Sequence, residues 1–192
     1  MNAFELLCMR IDALLLKKPH AVIAIDGPAA SGKTTLAARL ASRCGAQVLH
    51  MDDYFLQPHQ RTPERYAEPG GNVDRERFLS EALLPLSRGE AYMRRRFDCG
   101  SMTLLEGEAA QPAALTIVEG SYSLHPALSP YYDLRVLLDV SPEQQSARIL
   151  ARSGVEKHRQ FIERWIPLES HYFTETHIEE RCDMQLAMEE EA

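Results

Sequence analysis

Residues 21–45 read AVIAIDGPAASGKTTLAARLASRCG, and three kinds of local order follow one another within them. AVIAID (21–26) is almost wholly apolar, the composition of a short strand covered on both faces. In GKTTLAARLASRCG, Leu36, Leu40 and Cys44 recur at i, i+4 and i+8, and Gly45 supplies a C-terminal stop, so a helix is predicted there. Between strand and helix lies GPAASGKT (Gly27–Thr34), which fits G-x-x-x-x-G-K-[ST]. Glycines let a backbone wrap closely, successive N–H groups turn inward at phosphate oxygens, and the helix that follows adds its positive end. Lys33 reaches the β and γ phosphates and the Thr34 hydroxyl ligates Mg²⁺. Gly27, Pro28, Ala29, Ala30, Ser31, Gly32, Lys33, Thr34 and Thr35 are therefore the expected nucleotide-holding residues.

Alternation of this kind continues outward. QVLHMD (47–52) is a second predicted strand, ALTIVEG (114–120) a third, DLRVLLDV (133–140) a fourth and CDMQLAM (182–188) a short fifth. Helices are predicted through RERFLSEALLPLSRG, with Asp74 at its start, through SPEQQSARILARSG, where Ser141 caps and Pro142 takes the first helical position, and through VEKHRQFIERWIPLESHYFTETHIEE in two parts around Pro167. Strand–helix alternation implies a parallel sheet with helices on both faces and ligands beyond the carboxyl ends of its strands. LQPHQRTPERYAEPGGNV (56–73) is a long loop without clear periodicity, the kind that often carries function. AYMRRRFDCGSMTLLEGEA reads as a hairpin or extended excursion.

The 192 residues fit one domain over 1–192, and 45% apolar content suffices for a substantial core. Residues 1–18 place Phe4, Leu7, Cys8, Ile11, Leu14 and Leu15 at helical spacing, an amphipathic helix rather than a leader peptide. The net charge of −7 argues against nucleic acid as a partner. No window approaches a membrane span. Four cysteines (8, 44, 99, 182) lack metal or redox spacing and read as reduced thiols of a cytoplasmic protein. The tail EEEA reads as frayed. A homo-oligomer is compatible with all of this.

A Mg²⁺–nucleotide site takes a second acid from the end of a neighbouring strand. Glu119, closing LTIVE, is preferred; Asp139, closing VLLD, reads better as a cap of the next turn. Neither N-K-x-D nor D-x-x-G after the third strand is present, which lowers the odds of a GTP switch. In HMDDYF (50–55), period-two geometry would send the Asp52 and Asp53 side chains to opposite sides. Asp74 suits a helix cap, a ligand contact, or both. Arg94–Arg96 read first as a solvated face, though alternation would let one side, represented by Arg95, meet an acceptor. Trp165, with Phe161 and Ile162, reads as core. The histidines lack ligand spacing; His158 stands apart only through its place near a lid.

Together, GPAASGKTT, MDDYF, VDRERF, RRFDC, IVEGSYSL and DLRVLLDVSPEQQSARILAR resemble the uridine kinase and phosphoribulokinase-like family of P-loop kinases, to which the nicotinamide riboside kinases are related. The resemblance spans residues 20 to 188 or so. It implies an α/β three-layer fold with a five-stranded parallel sheet in order 2-3-1-4-5 and a lid, short here, over about residues 152–160. It implies transfer of the ATP γ-phosphoryl group, with Mg²⁺, to a hydroxyl of a nucleoside-like small molecule. Other acceptors (nicotinamide riboside, pantothenate, a sugar) and a nucleotide-dependent regulator without turnover are the alternatives. By the same resemblance Asp52 is the catalytic base with Asp53 in support, and Glu119 is the metal-side acid with Thr34. Phe55 and Phe97 flank the acceptor, Asp74 holds its hydroxyls, and Arg152, with Arg159 and Arg148 in competition, clamps the transferred phosphate.

Overall fold

The computed structural model describes residues 2–187. The EEEA tail lies outside the described residues. Helix α1 (Ala3–Leu15) starts at Asn2, whose side chain accepts the Glu5 N–H while the Glu5 carboxylate accepts the Asn2 N–H. That reciprocal cap satisfies two otherwise orphaned donors and leaves Leu7, Cys8 and Ile11 on a buried face. Strand β1 (Ala21–Asp26) is buried throughout, as its apolar run requires. Helix α2 (Lys33–Cys44) ends on Gly45 at φ 64°, ψ 32°, the left-handed stop that glycine adopts without a Cβ penalty.

Strand β2 (Gln47–His50) is two residues shorter than QVLHMD. The chain then tightens into a 3₁₀ turn over Met51–Tyr54. The following long loop contains a short helix, α3 (Pro63–Ala67), and ends at α4 (Arg75–Phe78), where the Asp74 side chain accepts the Arg77 N–H. The helix widens over Leu79–Leu83 and closes as α5 (Leu84–Ser87), which carries Pro85 in its first turn. The basic excursion forms two small antiparallel pairs. β3 (Tyr92–Arg94) pairs with β6 (Glu108–Ala110), and β4 (Phe97–Asp98) pairs with β5 (Thr103–Leu104).

The main sheet is completed by β7 (Leu115–Glu119), β8 (Leu134–Asp139) and β9 (Met184–Ala187). Its order is β2–β7–β1–β8–β9, all parallel. Leaving out the four short strands of the excursion, this numbers as 2-3-1-4-5. Alternation along β1 divides the core. Ala21, Ile23 and Ile25 pack with Leu7, Ile11, Leu36 and Leu40 on one face. Val22 and Ala24 pack with Phe78, Leu83, Leu86 and Tyr172 on the other.

Helix α6 (Pro142–Gln160) starts as expected, with the Ser141 hydroxyl accepting the Gln144 N–H. The chain does change helix just before Pro167, and the helix end expected at Gly154 is a bend within α6. Gly154 stands at φ 76°, ψ 173°, and there α6 bends sharply. Ser146 Oγ lies 2.7 Å from His158 Nε2 across the bend, whereas a straight helix would separate the two by about 18 Å. The chain then widens into a π-type turn over Phe161–Trp165 and runs on as α7 (Ile166–Thr176). Pro167 sits in the first turn of α7, where its missing N–H disturbs little.

Candidate active site

The carboxyl edge of the sheet opens into a cleft of about 1220 Å³. Its floor is the loop between β1 and α2. Gly27, at φ +147°, cannot be replaced without cost, because a Cβ there would lie 2.4 Å from the Leu138 carbonyl oxygen. Ala30 and Gly32 also hold positive φ, 60° and 102°, so the loop curls around an open centre. Lys33 is nearly buried and its ammonium donates to the Gly27 and Pro28 carbonyls at 2.7 and 2.8 Å. That pose satisfies the cation within its own loop, and an incoming phosphate would compete for it.

Two carboxylates face this loop. Glu119, at the end of β7 and 5% exposed, accepts from the Thr34 hydroxyl at 3.2 Å. His50 Nδ1 lies 2.5 Å from the other Glu119 oxygen, and this contact holds the imidazole pKa above its ordinary value. Asp52 is solvent-exposed where it opens onto the cleft, with protein crowding its carboxylate from the other sides. Loss of hydration, reinforced by the Glu119 charge, raises its carboxyl above the usual range. Asp53 turns away and accepts from Arg96 Nε at 2.9 Å. The two carboxylates do diverge, but within a 3₁₀ turn rather than by the period-two geometry of a strand. Asp139 turns back onto the Val140 N–H, 2.8 Å away.

Thr34 and Glu119 supply hard oxygen donors at one point beside the phosphate loop. Mg²⁺ binds through one or two protein oxygens together with water and phosphate, so these two residues fit it. Among the described residues no cluster of three or more His, Cys, Asp or Glu is placed to hold a metal by itself.

The rest of the cleft departs from the expected set. Phe55 and Arg152 line it, and Arg152 also stands 5.9 Å over the Phe161 ring. Phe97 does not: it is buried, with the Arg61 guanidinium 5.5 Å from its ring centroid. Asp74 is buried as the α4 cap, and its second oxygen accepts from Gln60 at 3.0 Å. Arg95 points to Glu81, which neutralises it. Arg159 lies outside the cleft wall, paired with Glu156 at 2.8 Å on an exposed stretch of α6. These four polar or aromatic groups were expected at a ligand; a helix cap, nearby carboxylates and burial of Phe97 engage them instead.

In their place come other residues, of which only Arg148 was among those expected at the site. Trp165, expected in the core, lines the cleft instead, with the Arg164 guanidinium 4.6 Å from its ring. Arg148 lines it too and donates to the Ala30 carbonyl at 3.3 Å. Asn72, Tyr122 and Glu169 complete the wall. Glu169, from α7, is 6% exposed; it accepts the Ala29 N–H at 2.9 Å and the Ser121 hydroxyl at 2.7 Å. Burial raises its carboxyl above the usual range.

Beneath the site, Asp26 is fully buried and accepts four hydrogen bonds. They come from the N–H groups of Gly27, Tyr122 and Leu124 and from the Tyr172 hydroxyl, at 2.7, 3.1, 2.8 and 2.8 Å. Desolvation nevertheless lifts its pKa to about 6. These bonds hold Tyr122 at φ 74°, a conformation that a bulky residue keeps only where its surroundings over-determine it. One carboxylate thus joins the phosphate loop, the turn after β7, and α7.

Solved structures share this architecture over nearly the whole chain. A possible uridine kinase from Bacillus stearothermophilus superposes with TM-score 0.68 at 22% identity, covering 94% of this chain and 98% of its own. The chain has the P-loop kinase fold. A candidate fructose transport system kinase from Silicibacter sp. TM1040 gives 0.67 at 20% identity over 97% of this chain and all of its own. YFH7 from Saccharomyces cerevisiae, described as a P-loop kinase with a circular permutation, gives 0.65 at 11% identity over 91% of this chain and 96% of its own. No protein-family model matches the sequence. No helix among the described residues is long and apolar enough to cross a membrane.

Proposed function

We propose that the chain is an ATP-dependent small-molecule kinase of the uridine kinase-like group, transferring the γ-phosphoryl group to a hydroxyl. The observation that carries this reading is the convergence of Lys33, Thr34, Glu119 and Asp52 in a single cleft. Phosphoryl transfer needs in-line placement and neutralised charge more than covalent chemistry. The phosphate loop and Lys33 would bind and orient the triphosphate. Thr34 and Glu119 would hold Mg²⁺, which when bound neutralises charge on the transferring phosphate. Asp52 would take the proton of the acceptor hydroxyl; its desolvated, raised carboxyl is a stronger base than an ordinary aspartate. Arg152 and Arg148, on the α6 side of the cleft, are placed to meet phosphate oxygens when α6 moves toward the loop.

Nucleosides, vitamins and sugars are the acceptor classes to test. ADP release with ATP and Mg²⁺ should rise when the right acceptor is added. Nucleotide binding with no acceptor able to stimulate ADP release would favour a nucleotide-dependent regulator without turnover instead.

A further inference from the structure

Three carboxylates line the cleft among the described residues, and the proposed chemistry uses only Asp52 and Glu119. Glu169 is left over, and its place follows a division of charge. Every cation of the wall comes from the phosphate loop, α2 or α6: Lys33, Arg39, Arg148 and Arg152. The turn after β2, residue 72, the turn after β7 and the start of α7 contribute Asp52, Phe55, Asn72, Tyr122, Trp165 and Glu169, and no cation.

The charge of Lys33 reaches both Asp52 and Glu169, but its ammonium is held by the Gly27 and Pro28 carbonyls, and the other cations near this second half are engaged elsewhere. Arg77 donates to the Arg95 and Asp53 carbonyls, Arg95 meets Glu81, and Arg96 meets Asp53. Arg65 and Arg75 face Glu76 and Glu68. Arg61 donates to the Leu56 carbonyl at 2.9 Å, and Arg164 lies over the Tyr66 and Trp165 rings.

We propose that Glu169 is a specificity-determining residue that, with Asp52, makes this half of the cleft reject anionic acceptors, so that the phosphorylated hydroxyl belongs to an uncharged or cationic molecule whose polar groups are read by Asn72 and Tyr122. The inference rests on the kinase reading above. A carboxylate nine-tenths buried, facing a second carboxylate across a shared cavity, penalises a third negative charge brought between them. Asn72, 7% exposed, adds an amide that can both donate and accept, the pairing that hydroxyl-rich ligands satisfy. Phe55 and Trp165 add aromatic surface to the same lining.

The competing account makes Glu169 only a strut that fastens α7 to the phosphate loop through Ala29 and Ser121. Acceptors closely matched in shape but differing in charge separate the two accounts: pantothenol with pantothenate, glucose with glucuronate, uridine with orotidine. For the full chain and for Glu169→Gln, two quantities are measured. One is acceptor-stimulated ADP release. The other is acceptor binding with a non-hydrolysable ATP analogue present, followed by fluorescence of Trp165, the single tryptophan, which stands in the wall. In the native protein the neutral member of each pair that engages should exceed its anionic partner in kcat/KM by about tenfold or more. Glu169→Gln should narrow that ratio severalfold, mainly through KM of the anionic member. Glu169→Asp keeps the charge and should keep the ratio while weakening overall binding.

An anionic member that equals or outperforms its neutral partner in the native protein would overturn the proposal. So would a ratio that Glu169→Gln leaves unchanged, which is the strut's signature, or a nucleotide response with no acceptor of either charge engaging. Loss of the nucleotide response itself, with no ADP release, would instead defeat the kinase reading on which the proposal rests.

Discussion

Asp26 shows how a residue outside the reaction can set the site. Its folded-state pKa of about 6 stands above the 3.8 of an ordinary aspartate, so between those values the folded state holds the proton more tightly than the unfolded chain. Its contribution to stability is fully present below the lower value and is lost as pH rises through the upper one. The urea midpoint of the native protein minus that of Asp26→Asn should therefore fall as pH is raised across this window. A difference that stays flat would remove the assigned titration. Single residues are also where the sequence was read with mixed success. Lys33, Thr34 and Glu119 stand in a motif or at a strand end, and those positions forecast where their side chains go. Glu169, Asn72 and His50 carry no such mark. Glu169 meets Ala29 across 140 positions of chain, and only tertiary packing creates that contact. Asp74 and Arg95 misled for the complementary reason: a helix start and a nearby glutamate satisfy them first.

Among the elements, α6 and α7 supply Arg148, Arg152 and Glu169 to the cleft. The Gly154 conformation, φ 76° with ψ 173°, belongs to a region that is essentially glycine-only. A Cβ there would meet nothing within 4 Å, so the obstacle to substitution is conformational and not steric crowding by neighbours. Gly154→Ala should therefore shift the bend, moving Arg152 and Trp165 relative to the phosphate loop. The expected result is a joint change in kcat and KM with nearly unchanged thermal stability, since the bend is exposed. Unchanged kinetics would mean that the bend does not position the wall. Strands and amphipathic helices were legible because period-two and 3.6-residue patterns reflect burial directly. At Gly154 the end of a helix was legible, but not the bend that folds His158 back onto Ser146, a contact that only tertiary packing creates.

At the scale of the molecule, one sheet organises everything. Its parallel order places the ends of β1, β2 and β7 side by side, which brings Asp26, the turn bearing Asp52, and Glu119 to one edge. Two apolar layers clamp that edge from both faces, so the phosphate loop and the turn after β7 rest on rigid elements. The central claim is that this edge transfers phosphate with Asp52 as the base. Native protein and Asp52→Asn, compared side by side, test it most directly. Binding of a non-hydrolysable ATP analogue, followed by Trp165 fluorescence, should be nearly equal in the two. Acceptor-dependent ADP release should fall in Asp52→Asn by about 10²–10⁴-fold, the usual contribution of a general base. Equal nucleotide binding with turnover intact in Asp52→Asn would contradict the account.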